Sequence, residues 1–182
     1  ATLLAEASSM HMEMLSAVTA GAADLRAVLD EARRRLGESG TRTLLFLDEV
    51  HRFNRAQQDL LLPSVEDGLL TLIGATTENP YFEVNAPLLS RSTLWRLEPL
   101  GPDDLAILAR RALDSEGAGA TDEAVELAAA AADGDARAML TTLEVAMVIA
   151  ARRGSLVDAS CISEARDGRV LHQGQDEHYD QV

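Results

Sequence analysis

Residues 44–53, LLFLDEVHRF, run four apolar side chains straight into two adjacent carboxylates, Asp48 and Glu49, and follow them with His51 and Arg52. Such a run reads as a buried strand. Open parallel sheets bind ligands beyond the carboxyl ends of their strands, which is where this Asp-Glu pair would sit. The pair suits one task especially well: Asp48 holding Mg²⁺ while Glu49 orients and deprotonates a water. The alternative is structural, with one carboxylate capping the following helix and the other solvated.

Three further segments carry groups that could join that chemistry. LLTLIGATTENP is a second buried strand ending in Thr76, Thr77 and Asn79. A hydroxyl at its tip could position an attacking water or sense a γ-phosphate, although Thr-Thr at a strand end also serves ordinary turns. In APLLSRSTLWRL, Arg91 stands between serines just before an expected strand. A fixed guanidinium at a subunit edge can act in trans on a neighbour's nucleotide, and a plain surface arginine is the alternative. In ADGDARAMLTTLE, Arg137 falls in the first turn of a helix. A cation there opposes the helix dipole, so a compensating anion is expected, either a nucleotide phosphate or the nearby Asp133 and Asp135.

The elements that must position these groups alternate. AADLRAVLDEARRRL has helical spacing with Leu25, Val28, Leu29, Ala32 and Leu36 on one face. RTLLFLDEV is a strand, RAQQDLLLPSVEDG a helix with a proline kink or two short helices, LLTLIGATT a strand, and TLWRLEPL a third strand. Strand and helix alternating in this order predict a parallel sheet. Met10, Met12 and Met14 read as strand-flanking core residues. From Pro102 onward the period is helical throughout, with Thr121 and Asp135 as caps and Gly154 as a stop. The polar tail HQGQDEHYDQV reads as a linker.

The net charge of −14 works against a freestanding nucleic-acid-binding module. All 16 basic residues are arginine; the chain has no lysine. A single cysteine, Cys161, excludes a disulfide framework and a cysteine zinc site. No apolar run is long enough to span a bilayer, and the N-terminus lacks a basic, signal-like start. No membrane partner and a cytoplasmic location are the expectations. Ala1 already lies inside a helical pattern, ATLLAEASS, so the chain reads as cut from something longer.

Taken together, SAVTAGAADLR at 16–26, LLFLDEVHRFNRAQQDLLLPSVEDG at 44–68, LIGATTENPYFEVNAPLLSRS at 72–92 and GDARAMLTTLE at 134–144 resemble the AAA+ ATPases. Within them the chain resembles the replication-associated recombination protein A (RarA) family, akin to the Werner-helicase-interacting protein. The resemblance reaches DEHYD near the end. It implies an α/β P-loop NTPase core with a parallel sheet, truncated at its N-terminus and spanning 1–98. A helical lid would span 99–171, and a linker toward a C-terminal oligomerisation region would span 172–182.

It also implies roles. Asp48 and Glu49 match the Walker B pair, for Mg²⁺ and as catalytic base; Thr77, with Thr76 and Asn79, matches sensor 1; Arg91 matches the arginine finger and Arg137 sensor 2. His51 makes DEVH, similar to the DExH helicases, and is expected to pack or relay rather than mark a translocating helicase. The cofactors implied are ATP and Mg²⁺. The partners implied are further copies, head to tail, DNA with single-stranded ends, gaps or forks, and single-stranded-DNA-binding protein with other replisome components. The nucleoid is the implied site of action.

The family's GxxxxGK[ST] loop is absent, and a chain without lysine cannot hold one. By the resemblance, the loop belongs just upstream of Ala1, and its strand would lie between TLIGATT and TLWRL. The chain by itself is therefore expected to be inactive and to leave both of those segments facing a gap. The competing readings are a clamp-loader subunit, a Holliday-junction branch-migration motor, and a non-catalytic binding module that lost its P-loop.

Overall fold

The computed structural model describes residues 2–176, and the chain divides into two compact units, Ala1–Trp95 and Arg96–Val182. The first is α/β. Helix α1 (Thr2–Ser8) leads into β1 (His11–Ser16), α2 (Ala22–Ser39), β2 (Thr43–Asp48), a 3-10 turn (Val50–Arg52), α3 (Arg55–Glu66), β3 (Leu70–Gly74), α4 (Pro80–Glu83) and α5 (Ala86–Leu89). The sheet is parallel throughout, in the order β1-β2-β3. The expected fold class, a parallel-sheet α/β unit with a helical unit after it, matches.

β2 is central, which is why its apolar run does not alternate: Leu44, Leu45 and Leu47 are all buried. One face of α2 (Leu25, Leu29, Ala32) joins Leu61 of α3 and Leu88 of α5 in the same core. Val28 packs at its border, and Leu36, expected on that face, is 37% exposed. Buried Thr43 is matched by Arg35 of α2, whose Nη1 donates to Thr43 Oγ1 at 2.8 Å while its Nη2 meets Glu13 and Glu31. α3 is one helix despite Pro63. Asn54 caps it by accepting from Gln57 N, and the Gln57 side chain reaches back to Asn54 N.

Two expectations fail here. Residues 93–100 form no strand: Leu94, Trp95 and Leu97 are exposed, Trp95 at 84% and Leu97 at 91%. A strand is a pairing, and among the described residues β3 is hydrogen-bonded only to β2, so no ladder receives this segment. The methionines do not form a core group either. Met10 and Met12 are half-buried, and Met14 is 62% exposed because β1 is an edge strand whose outer face no helix covers at that point.

The second unit holds α6 (Pro102–Ser115), α7 (Asp122–Ala131), α8 (Ala136–Arg153) and α9 (Ala159–Asp176). Small side chains let these helices pack closely: Ala109, Ala124, Ala128, Ala129, Ala146, Ala150 and Ala165 are all buried, around Leu105, Met139, Leu143 and Ile162. Thr121 caps α7 by accepting from Ala124 N, and Gly154 ends α8 in the left-handed region. α9 continues to Asp176, past residue 171; the rest of the expected linker, 177–182, lies outside the described residues.

The start of α9 supplies a pH-dependent element. Asp158 Oδ1 accepts from Ser160 Oγ at 2.7 Å and from Cys161 N at 2.9 Å. With Arg153 nearby, these bonds hold its carboxyl well below the usual aspartate range, at about 2. A carboxyl lowered on folding stabilises above its unfolded value of about 4. That contribution drains away as pH falls from about 4 to about 2. Asp158→Asn, a neutral cap, is therefore expected to flatten the thermal-unfolding profile across that window, as measured by circular dichroism.

Candidate active site

The register sets the tip of the sheet. Ser16 lies opposite Asp48, Leu47 opposite Gly74, and the ladder runs on through Ala17 N to Asp48 O and Val50 N to Ala75 O, both at 2.9 Å. Asp48, Glu49, Thr76 and Thr77 thus come together at the carboxyl ends of adjacent strands, where parallel sheets present their ligand sites.

Asp48 is exposed, and its carboxylate makes no hydrogen bond or ion pair among the described residues. The structural alternative, a helix cap, is not what it does: the cap of α3 is Asn54. Glu49 is turned into the left-handed region, φ 53° and ψ 46°. A non-glycine residue held there costs about 1–2 kcal/mol, which the flanking ladder bonds must enforce. The turn brings Glu49 Oε2 to 3.2 Å from His51 Nδ1 and 3.5 Å from Thr77 Oγ1. His51 Nδ1 also lies 2.9 Å from Thr76 Oγ1, which accepts from Glu78 N at 3.0 Å. Thr76 therefore does serve a turn, as well as touching the site. Asn79 is a cap, its Oδ1 accepting from Tyr81 N at the start of α4.

Arg91 follows α5 and is held within its own chain. Nη2 lies 2.5 Å from Glu66 Oε1, and Nη1 donates to Pro87 O at 3.0 Å and to Ser90 Oγ at 3.1 Å. Both ion-pair partners are close to half exposed, so the pair contributes under about 1 kcal/mol and releases readily. No strand follows Arg91, contrary to expectation; α5 and Glu66 of α3 position it. α5 is in turn tied down by Gln58, the buried amide of α3. Gln58 Nε2 donates to Phe53 O and Glu83 O, and its Oε1 accepts from Asn85 N at 2.8 Å. Gln58→Leu strands three backbone groups, at about 1–3 kcal/mol each when buried. A loss of several kcal/mol in chemical denaturation is expected.

Arg137 belongs to the helical unit. Gly134 (φ 84°) brings the chain so close to Pro99 that a Cβ would stand 2.5 Å from Pro99 Cβ, and Asp135 Oδ1 then caps α8 through Arg137 N and Ala138 N. With Asp135 committed to the cap, the Arg137 guanidinium is exposed and pairs with no described residue. It borders an open recess of ≈ 450 Å³ lined by Pro99, Asp133, Gly134, Asp135 and Ala136. Neither neighbouring aspartate neutralises it.

A family model described as "ATPase family associated with various cellular activities (AAA)" matches residues 2–97, just over half the chain. The chain belongs to this family. Among curated relatives it is 41% identical to replication-associated recombination protein A of Escherichia coli K12, over 80% of this chain and 34% of that protein. It is also 41% identical to the ATPase WRNIP1 of Dictyostelium discoideum, over 81% of this chain and 17% of that protein. The chain thus spans well under half the length of the curated relatives it matches, and it is a RarA-like AAA sequence within them. Among solved structures, the RuvB Holliday junction branch migration motor of Thermotoga maritima superposes with a TM-score of 0.76 over 91% of this chain and 55% of that one. At 23% identity this establishes the AAA fold and nothing finer. Membership of an ATPase family implies nucleotide binding.

Sequence reasoning missed one partner in this AAA site, Glu66, and left the contacts of His51 open. Glu66 gives no local signal, since it meets Arg91 only because α3 and α5 pack together. His51 is adjacent to the acid pair, yet only the structure brings its Nδ1 to face both Glu49 and Thr76.

Proposed function

We propose that these residues form the hydrolysis and lid parts of a DNA-dependent AAA+ ATPase of the RarA type, acting in replication-fork maintenance, recombination and repair. The observation that carries the reading is the acid pair at the sheet tip: Asp48 exposed and unengaged, Glu49 turned by a left-handed backbone toward the hydroxyls of the next strand.

The donor set fits a magnesium nucleotide. A free carboxylate oxygen is a hard ligand of the kind Mg²⁺ takes beside phosphate oxygens. Asp48 would hold the ion, which when bound offsets the charge of the phosphates. Glu49 orients a water and accepts its proton as the water oxygen attacks the γ-phosphorus and the bond to the leaving ADP oxygen breaks. Thr77, with Thr76 and Asn79 beside it, holds the attacking side. Arg91 leaves Glu66 and reaches the nucleotide of a neighbouring copy in a head-to-tail assembly. Arg137, unpaired in its own unit, answers to the γ-phosphate. Phosphate grip by a GxxxxGK[ST] loop is a contribution these 182 residues do not make.

With a net charge of −14 on this chain, contact with single-stranded ends, gaps or forks falls to the assembly as a whole. Single-stranded-DNA-binding protein and other replisome components are the protein partners. No helix among the described residues is long and apolar enough to cross a membrane. On this reading the protein lies in the cytoplasm, at the nucleoid. The test is ATP hydrolysis by the full-length gene product, with Mg²⁺ or with chelator, and with forked, gapped or blunt duplex DNA. Magnesium-dependent hydrolysis stimulated by forked or gapped DNA is expected. Nucleotide-independent binding to DNA would instead favour a scaffold.

A further inference from the structure

We infer that His51 is the positioning residue for Glu49, holding the carboxylate by the close approach of Nδ1 to Oε2 while the same nitrogen is hydrogen-bonded to Thr76 at the tip of the neighbouring strand. The inference rests on the reading of Glu49 as general base.

Three facts carry it. His51 Nδ1 faces Glu49 Oε2 at 3.2 Å and Thr76 Oγ1 at 2.9 Å. An ionised carboxylate has no proton to give, so its approach to Nδ1 is attractive when that nitrogen carries the proton. Thr76 Oγ1 then receives both Nδ1–H and the Glu78 N–H at 3.0 Å, which its two lone pairs allow.

Burial gives the contact its force. The His51 side chain is 10% exposed, against 31% for Glu49, so the imidazole is a walled-in group and the carboxylate a reachable one. Without the imidazole beside it, Glu49 keeps only Thr77, at a long 3.5 Å. A glutamate has three rotatable bonds, and misplacing a reacting group by about 1 Å can cost about 100-fold in rate. The imidazole, hydrogen-bonded to Thr76 Oγ1 and 3.2 Å from Oε2, also links Glu49 to the strand tip that carries Thr76 and Thr77. A shift of Thr76 changes how firmly Glu49 is held.

The test uses the full-length gene product and separates the donor from the bulk of the ring. His51→Leu keeps comparable volume and removes the donor. His51→Asn puts an N–H, Nδ2, the same two bonds from Cβ as Nδ1. His51→Leu is expected to lower kcat about 10- to 100-fold, with the Kd for a fluorescent ATP analogue unchanged within about twofold. His51→Asn is expected to stay within about threefold of the parent. In the Glu49→Gln background, adding His51→Leu should change the residual rate by no more than about twofold, because no general base remains to be positioned.

The positioning role is overturned if His51→Asn is as slow as His51→Leu, if His51→Leu weakens nucleotide binding in step with its rate, or if it slows Glu49→Gln by its full factor again. Unchanged kcat in His51→Leu, with Glu49→Gln inactive, overturns it while leaving the general-base reading intact. Parent-rate hydrolysis by Glu49→Gln strikes the general-base reading itself.

Discussion

Glu49→Gln in the full-length gene product binds ATP with the affinity of the parent and hydrolyses it about 10²- to 10⁴-fold more slowly, the range that removal of a general base spans. The side chain's volume is kept, so the His51 Nδ1–H and Thr77 contacts can fall on the amide oxygen and the local turn survives. What is lost is a group able to take a proton. Asp48, one residue earlier, cannot substitute, because the left-handed backbone at Glu49 sends the two carboxylates in different directions: Glu49 toward His51 and Thr77, Asp48 toward open solvent. Quenched-flow hydrolysis beside equilibrium binding of a fluorescent analogue checks both halves of the expectation. Equal rates in variant and parent would remove Glu49 from the chemistry.

Arg91→Ala is expected to act on a different copy of the protein. Its guanidinium touches no group of its own site; its partners are Glu66, Pro87 O and Ser90 Oγ. Losing a half-exposed ion pair changes stability by under about 1 kcal/mol, so the variant folds and binds nucleotide as the parent does. An arginine that stabilises transferring phosphoryl charge is worth about 10³-fold or more in kcat. Turnover in the assembly is therefore expected to fall by about that factor with the thermal midpoint nearly unmoved. A plain surface arginine would leave both unchanged.

Much of this site is legible in the chain itself, for physical reasons that can be named. β2 is buried on both faces, so its apolar run is unbroken, and the first charged residues after it must lie at the sheet tip. Asp135 and Thr121 declare helix starts through short side chains that accept backbone N–H bonds locally. What the chain conceals depends on partners distant in sequence. TLWRL has the composition of a strand, yet no neighbouring strand offers it a ladder, and Trp95 stays 84% exposed. Met14 has a strand-core side chain on an edge strand and is 62% exposed. Glu66 and Arg91 meet across 25 residues, and a buried glutamine, Gln58, holds the segment between them through two backbone bonds, to Glu83 O and Asn85 N, that no periodicity predicts.

The central claim is that one copy's Glu49 and another copy's Arg91 complete a single hydrolytic site, and co-expression of two inactive variants tests it most directly. In an equal mixture of Glu49→Gln and Arg91→Ala subunits, about a quarter of head-to-tail interfaces join an intact Glu49 to an intact Arg91. ATP hydrolysis by the purified mixed assembly is predicted to recover to about a quarter of the parent rate per interface. A mixed assembly as inactive as either variant alone would contradict the account.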